Sequence, residues 1–271
     1  MRRTPAALAV YSDEDRIAAD GSRHSPCFKA AWNPDLFRAQ DYLSRLLALA
    51  LAAVRAACGF APQREGFEFC DLLLRCLKAA PIVHVPALLY HRREPIQPTP
   101  NSHGGIAALQ AYFGAASGVT VEPGLLPASF HLRHPLPPTP PKVALIVPTK
   151  DRAWLLRACV ESLLGKTRYP RFEIWIVGNQ SSDPDALAYQ AELAKQPGGQ
   201  VLDYPHPFNY SAINNFAVRQ TDAELVGLIN NGVEVISPDW LDELVRHAIR
   251  PEIGALGRSY VTTTTASNMP A

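Results

Sequence analysis

Three short polar clusters hold the residue types that could do chemistry in this chain, and each follows an apolar run. Pro148-Thr149-Lys150-Asp151-Arg152 comes after Val143 to Val147, and Asn179-Gln180-Ser181-Ser182-Asp183 comes after Phe172 to Val177. Asn230-Asn231-Gly232 comes after Glu224 to Ile229. Hydroxyl, amide and carboxylate groups at strand ends can hold a ligand, and in an open α/β sheet ligands bind outside the carboxyl ends of the strands. Together the three clusters could line a nucleotide crevice. Each also has a plainer role: Thr149 and Asp151 can cap the helix that follows, and the 179–183 cluster can be a polar turn. Asn214 and Asn215 are harder to dismiss, because asparagine is a poor helix former and two in a row need a reason. There is no Gly-x-Gly-x-x-Gly and no Gly-x-x-x-x-Gly-Lys, which demotes dehydrogenase and P-loop readings.

The elements that must position these clusters read as strands alternating with helices. Val143 to Val147 has the continuous apolar character of a strand covered on both faces. The helix after it repeats Leu155, Leu156, Cys159, Val160, Leu163 and Leu164 at helical spacing, with Asp151 as its expected cap. Phe172 to Val177 predicts the second strand, Pro184 to Lys195 a helix, and Gln200 to Tyr204 a third strand. Ser211 is expected to cap the next helix, Glu224 to Ile229 to form the fourth strand, and Ser237-Pro238-Asp239 to start a last helix. This alternation predicts right-handed crossovers and a mainly parallel sheet.

The amino-terminal part is less regular. Tyr42 to Ala57 and Asp71 to Lys78 read as helices, and Ile82 to Tyr90 as a pair of strands. Many of the 25 prolines fall between Pro95 and Pro141, a composition that favours extended connector backbone, interrupted by a short helical pattern over Gly105 to Gly114 (Ile106, Leu109, Tyr112, Phe113). The expected division is a first unit at 1–93, a Pro-rich connector at 94–141 and a second unit at 142–271.

Bulk properties narrow the partners. A net charge of +1 argues against nucleic acid. The five cysteines form no Cys-x-x-Cys pair and no disulfide framework, so a reducing, cytoplasmic setting is expected. The longest apolar runs are too short to span a bilayer, which leaves peripheral membrane association open.

Four runs then resemble a family. Ile-Val-Pro-Thr-Lys-Asp-Arg, Ile-Val-Gly-Asn-Gln-Ser-Ser-Asp-Pro, Phe-Asn-Tyr-Ser-Ala-Ile-Asn-Asn-Phe-Ala-Val and Asn-Asn-Gly-Val-Glu-Val-Ile-Ser-Pro-Asp-Trp-Leu are similar to the family 2 glycosyltransferases of bacterial polysaccharide and O-antigen assembly. The first part resembles the acceptor-side half of such a domain through Tyr11-Ser-Asp-Glu-Asp15, Phe28-Lys-Ala-Ala-Trp-Asn-Pro-Asp-Leu36, Glu65 to Arg75 and His84 to His91. The resemblance implies a tandem-domain form: the acceptor-side half of one domain, the connector, then the nucleotide-binding half of the next. The implied fold is α/β and GT-A-like, a mainly parallel sheet with helices on both faces, incomplete at both ends.

It further implies sugar transfer from a nucleotide-diphosphate donor to a polysaccharide or lipid-linked acceptor, at the inner face of the bacterial membrane. A divalent Mn or Mg ion would neutralise the leaving group, and an acceptor-side carboxylate would serve as base. Carried over, Thr149, Asp151, Arg152, Asn179, Asn215, Asn230, Asn231 and His91 would bind the nucleotide sugar.

The departures fall on acids. Gly178 stands where the family has a base-reading aspartate, and Gly232 where it has a metal-binding one. Phe69 stands where it has the catalytic aspartate, leaving Glu68 as the candidate base. The sequence therefore predicts no intact metal triplet. The expectation is a glycosyltransferase of weakened activity, or alternatively a non-catalytic nucleotide-sugar-binding or interaction remnant. The tail from Arg258 to Ala271 departs from the family's continuation, and read one base out of frame it can end in the family's His-Ala-Gly. A frameshift truncation is the expectation drawn from it.

Overall fold

In a computed structural model, residues 7–43, 46–64, 66–77, 81–93, 102–196 and 199–257 are described. The tail from Arg258 lies outside them. The chain divides into two compact units, Met1–Pro135 and Leu136–Ala271, each with its own core.

The first unit is built on β1 (Ala9–Ile17). β2 (Arg23–Cys27) and β3 (Leu47–Leu49) run antiparallel to it and share one of its edges, β3 at its start and β2 at its end. Helix α1 (Pro34–Ala39) lies between them in sequence, and α2 (Leu51–Ala56) and α3 (Glu68–Cys76) follow. β4 (Ile82–Arg93) lies parallel along the other edge of β1. Two sequence expectations change here. The helix expected over Tyr42 to Ala57 is a strand plus a short helix, because Leu47 and Leu49 pair with Tyr11 and Ala9. An apolar run of that length fits either structure, and the available β1 edge decides it. The strand pair expected over Ile82 to Tyr90 is one long strand, whose register shifts near Asp13 accommodate the stretch around Pro86.

The stretch expected as a connector does not behave as one from Ser102 onward. It forms α4 (Ser102–Phe113) and a hairpin of β5 (Thr120–Pro123) with β6 (Phe130–Arg133). Leu109, Val121, Phe130 and Leu132 join the same core as Tyr11, Phe37 and Leu73. Gly105 lies so close under two rings that an added Cβ would sit 2.2 Å from Phe130 and 2.5 Å from Phe67. The helical spacing of Ile106, Leu109, Tyr112 and Phe113 is visible in the sequence and falls within α4, whereas the hairpin that follows carries no comparable mark.

The second unit is the parallel sheet that the alternation predicted. Its strands are β7 (Val143–Thr149), β8 (Phe172–Gly178), β9 (Gly199–Asp203) and β10 (Leu225–Leu228). Their order is β10-β7-β8-β9, all parallel. Alternation along β7 supplies both faces. Val143, Leu145 and Val147 pack with α5 (Ala153–Lys166), α6 (Pro184–Leu193) and α8 (Trp240–Ala248). Ala144 and Ile146 pack with Ile213 and Ala217 of α7 (Tyr210–Val218). Each such buried Leu or Ile side chain stabilises by about 1.5–3 kcal/mol.

Caps differ from expectation. Asn209 caps α7 in place of Ser211, its Oδ1 accepting from the Ala212 N–H at 3.0 Å. Asp239 occupies the cap position of α8 in place of Ser237. Asp183 caps α6, with Pro184 in the first turn as read. No helix among the described residues is long and apolar enough to cross a membrane.

Candidate functional site

Strand order decides where a ligand can sit. The chain leaves β7 for β8 and β9 on one side, then returns to place β10 on the other, so loops diverge at the carboxyl ends of β7 and β10. Such a switch point opens a crevice in a parallel sheet. A cleft of about 230 Å³ lies there. Thr149, Asn179, Asn230 and Asn231, from three strand ends, line it together with Phe208 and Tyr210 at the start of α7. All three clusters read from the sequence contribute.

Asn179 is the structural hinge of this rim and is only 3% exposed. Its backbone N–H donates to the Thr149 carbonyl at 2.8 Å. Its side-chain Nδ2 donates to the carbonyls of Tyr204 at 3.1 Å and His206 at 2.8 Å. That leaves Oδ1 as the acceptor it can offer. Asn231 Nδ2 donates to Thr149 Oγ1 at 3.1 Å, joining the ends of β10 and β7. Asn230 Oδ1 accepts from the Gly232 N–H at 3.1 Å, closing a tight turn.

Asp151 does not cap α5. Its Oδ1 accepts from the Ser182 and Asp183 N–H groups at 2.7 and 2.9 Å, while its own N–H donates to Ser181 Oγ at 3.2 Å. The carboxylate thus clamps the β7–α5 loop to the β8–α6 loop. The Asp183 and Ser182 N–H groups hold its pKa below the usual carboxylate value, with a further contribution from Lys150. The clamp goes with unusual backbone: Asp151, Arg152 and Gln180 have φ of 51°, 53° and 53°. Non-glycine residues in the left-handed region cost on the order of 1 kcal/mol each and cluster at functional loops. Arg152 takes the cap position of α5 with no side-chain cap bond.

Three expected residues of the second unit, Asp151, Arg152 and Asn215, fall outside the cleft lining. Asn215 is exposed on α7 and does not line it. Its neighbour Asn214 is the buried one, with Nδ2 donating to the Tyr210 carbonyl at 2.8 Å. The helical period puts Ile213, Asn214 and Ala217 inward and turns 215 out. Lys150, Phe208 and Tyr210 were not chosen from the sequence, yet all three line the cleft. Phe208 is 72% exposed. The signal for the aromatic pair was two large rings flanking the helix cap Asn209.

Gly178 ends β8, and a Cβ added there would lie 2.6 Å from Gln190 Oε1. Gln190 is buried and its amide nitrogen reaches Ser181 Oγ at 3.4 Å. A carboxamide from α6 therefore fills the space that a side chain at 178 would use. Gly178→Asp is expected to destabilise the protein by about 1–3 kcal/mol through overpacking. Adding Gln190→Ala should recover most of that loss in urea unfolding, and equal midpoints for single and double variants would refute the coupling.

The remaining expected residues lie in the first unit. Glu68 Oε1 accepts from the Gly66 N–H at 3.0 Å. Phe69 is half exposed and packs edge-on against Phe60. His91 Nδ1 lies 2.5 Å from Asp15 Oδ1. Arg23 contacts the other Asp15 oxygen at 2.6–2.7 Å. Burial would raise the Asp15 pKa, but the hydrogen bonds from His91 and Arg23 outweigh it and hold the value below normal. One turn of the pattern earlier, Asp13 Oδ1 accepts from the Lys29 N–H at 2.9 Å and faces His84 Nε2 at 2.7 Å.

Divalent-metal chemistry does not fit these donor sets. The cleft lining contains no carboxylate. Asp13 and Asp15 are engaged by the Lys29 N–H, histidine and arginine. Among the described residues no group of three or more His, Cys, Asp or Glu is arranged to hold a metal ion.

Comparison with known proteins gives the following. Residues 144–269 match the family described as Glycosyl transferase family 2. That match runs through most of the tail set apart in the sequence. The chain is 38% identical over 262 residues to the O-antigen biosynthesis protein RfbC of Myxococcus xanthus, covering 93% of this chain and 20% of that protein. It is 38% identical over 271 residues to the uncharacterized protein y4gI of Sinorhizobium fredii, covering 93% of this chain and 29% of that protein. The chain thus spans less than a third of either relative's length. Among solved structures it is similar to the mannosyltransferase PcManGT from Pyrobaculum calidifontis in complex with GDP-Man and Mn2+, at 23% identity and TM-score 0.40 over 45% of this chain and 36% of that one. It is also similar to S. aureus TarS 1-349 in complex with UDP-GlcNAc, at 21% identity and TM-score 0.34 over 40% of this chain and 31% of that one.

Proposed function

From the premise that residues 144–269 of this chain belong to glycosyl transferase family 2, we propose that the cleft holds the nucleotide of a nucleotide-diphosphate sugar. The chain serves transfer of that sugar to a polysaccharide or lipid-linked acceptor, with peripheral association at the inner face of the bacterial membrane. The acceptor class follows the name carried by the Myxococcus xanthus relative. One observation carries the nucleotide part: uncharged hydrogen-bonding side chains from three strand ends meet two aromatic rings at the switch point of a parallel sheet. Exposed rings can stack on a base, and the Asn179 and Thr149 oxygens can accept from its edge or from the ribose. The amino end of α7 at the cleft favours a negative group.

A second reading has an observation of its own. No carboxylate lines the cleft, and the candidate base Glu68 is engaged by its own loop. A module that binds the nucleotide sugar without turning it over fits those facts. Two measurements separate the readings. Isothermal titration with UDP, GDP and ADP should give binding, which Phe208→Ala weakens about tenfold, the scale of one stacked base. Unchanged affinity in that variant would remove the cleft from the nucleotide site. Release of sugar from a bound donor, measured by product formation, decides transferase against binder.

A further inference from the structure

We infer that the cleft takes its nucleoside diphosphate without a divalent cation, the Lys150 ammonium compensating the phosphate charge in the metal's place. This rests on the reading of the cleft as a nucleotide site and concerns only how its charge is balanced. A diphosphate brought to a protein surface needs a counter-charge, supplied either by a metal or by cationic side chains.

The oxygen donors at the end of β10 are unsuited to a metal. Hard divalent cations bind best to carboxylates, and Asn230-Asn231-Gly232 has none. Asn230 Oδ1 is turned back onto the Gly232 N–H, and the Asn231 amide is directed to Thr149. Glu234, the acid nearest this triplet in sequence, is exposed and does not line the cleft, and the Asp151 carboxylate, next to Lys150, is held by two N–H groups of the neighbouring loop. Packing does not explain the missing acid: a Cβ at Gly232 would have its nearest neighbours, Asn230 Oδ1 and Leu155 Cδ2, at 3.8 Å. Room for a carboxylate exists, and the residue that would provide it is absent. Lys150, by contrast, is the one charged side chain in the lining, and it is exposed and free to follow a ligand.

The test uses the full chain and titrates UDP, with GDP and ADP alongside, in excess manganese and in EDTA. Affinity should agree between the two conditions to within about twofold, a difference of under 0.5 kcal/mol. Lys150→Met should weaken UDP binding about tenfold, the loss of one charge-assisted contact, while leaving uridine binding unchanged. Lys150→Arg should restore most of it. Gly232→Asp should weaken UDP binding in EDTA, through repulsion, and manganese should relieve the loss. Binding that appears only with manganese overturns the inference, as does a Lys150→Met loss that is equal for uridine and UDP. Unchanged affinity of Gly232→Asp in EDTA also overturns it, because the diphosphate then lies elsewhere. Absence of nucleotide binding under every condition is a separate result, and sinks the reading of the cleft itself.

Discussion

Asn179→Asp is expected to destabilise the protein by about 3 kcal/mol or more at neutral pH, despite being nearly isosteric. The wild-type amide donates both of its hydrogens to carbonyls, those of Tyr204 and His206. A carboxylate in the same place turns two attractions into two oxygen–oxygen repulsions in a buried setting, and a buried unpaired charge costs several kcal/mol. The new carboxyl should respond by raising its folded pKa above the unfolded value. Its penalty is then full above the folded pKa and fades as pH falls through it, because the protonated acid recovers one donor. Urea midpoints should therefore lie far apart for parent and variant at pH 7.5 and draw together near pH 4.5. A variant as stable as the parent at pH 7.5 would mean that the amide does not hold the β9–α7 loop. Nucleotide binding should be lost with the loop, since Phe208 and Tyr210 depend on its path.

Asp71→Ala should cost about 3 kcal/mol. Asp71 is buried and receives Arg64 Nε at 3.3 Å and Arg75 through Nε at 2.9 Å and Nη2 at 2.8 Å. Removing it leaves two guanidinium groups without their anion, and breaking a buried pair is costly for that reason. The loss stays at the lower end of that range because both arginines are partly exposed, and Arg75 keeps its bonds to the Ala57 and Gly59 carbonyls. Glu68→Ala, three residues earlier, removes one bond to an exposed backbone N–H and should cost under about 1 kcal/mol. Thermal or urea unfolding of the pair of variants checks the contrast. Equal effects would show that the arginines find other partners. Of the two acids of α3, Asp71 is thus the one expected to hold structure.

The second unit was legible because its strands are apolar throughout, and a sheet covered on both faces leaves that mark. Val143 to Val147 could hardly be anything else. The first unit was less legible, because Leu46 to Val54 has the same composition whether it is strand or helix. Only the free edge of β1, distant in sequence, selects the strand. At the cleft, residue types pointed to four residues that do line it, Thr149, Asn179, Asn230 and Asn231, since strand-end polar groups converge in any parallel sheet. What sequence could not give was direction. Asp151 looked like a helix cap, and its left-handed backbone turns it to the next loop instead. Asn215 was favoured over Asn214, and one step along the helix reversed their exposure. Gln190 was invisible, because nothing local ties residue 190 to the side-chain space of residue 178.

The Asp151 clamp carries a consequence for how the cleft meets its ligand. Two loops are joined by a carboxylate whose lowered pKa keeps it charged across the physiological range. Loop ordering is then part of folding and is not charged against association, as for any preorganised receptor. Differences in affinity among nucleotides at this rim should accordingly report the contacts each one makes. Capture becomes a docking onto a surface already set.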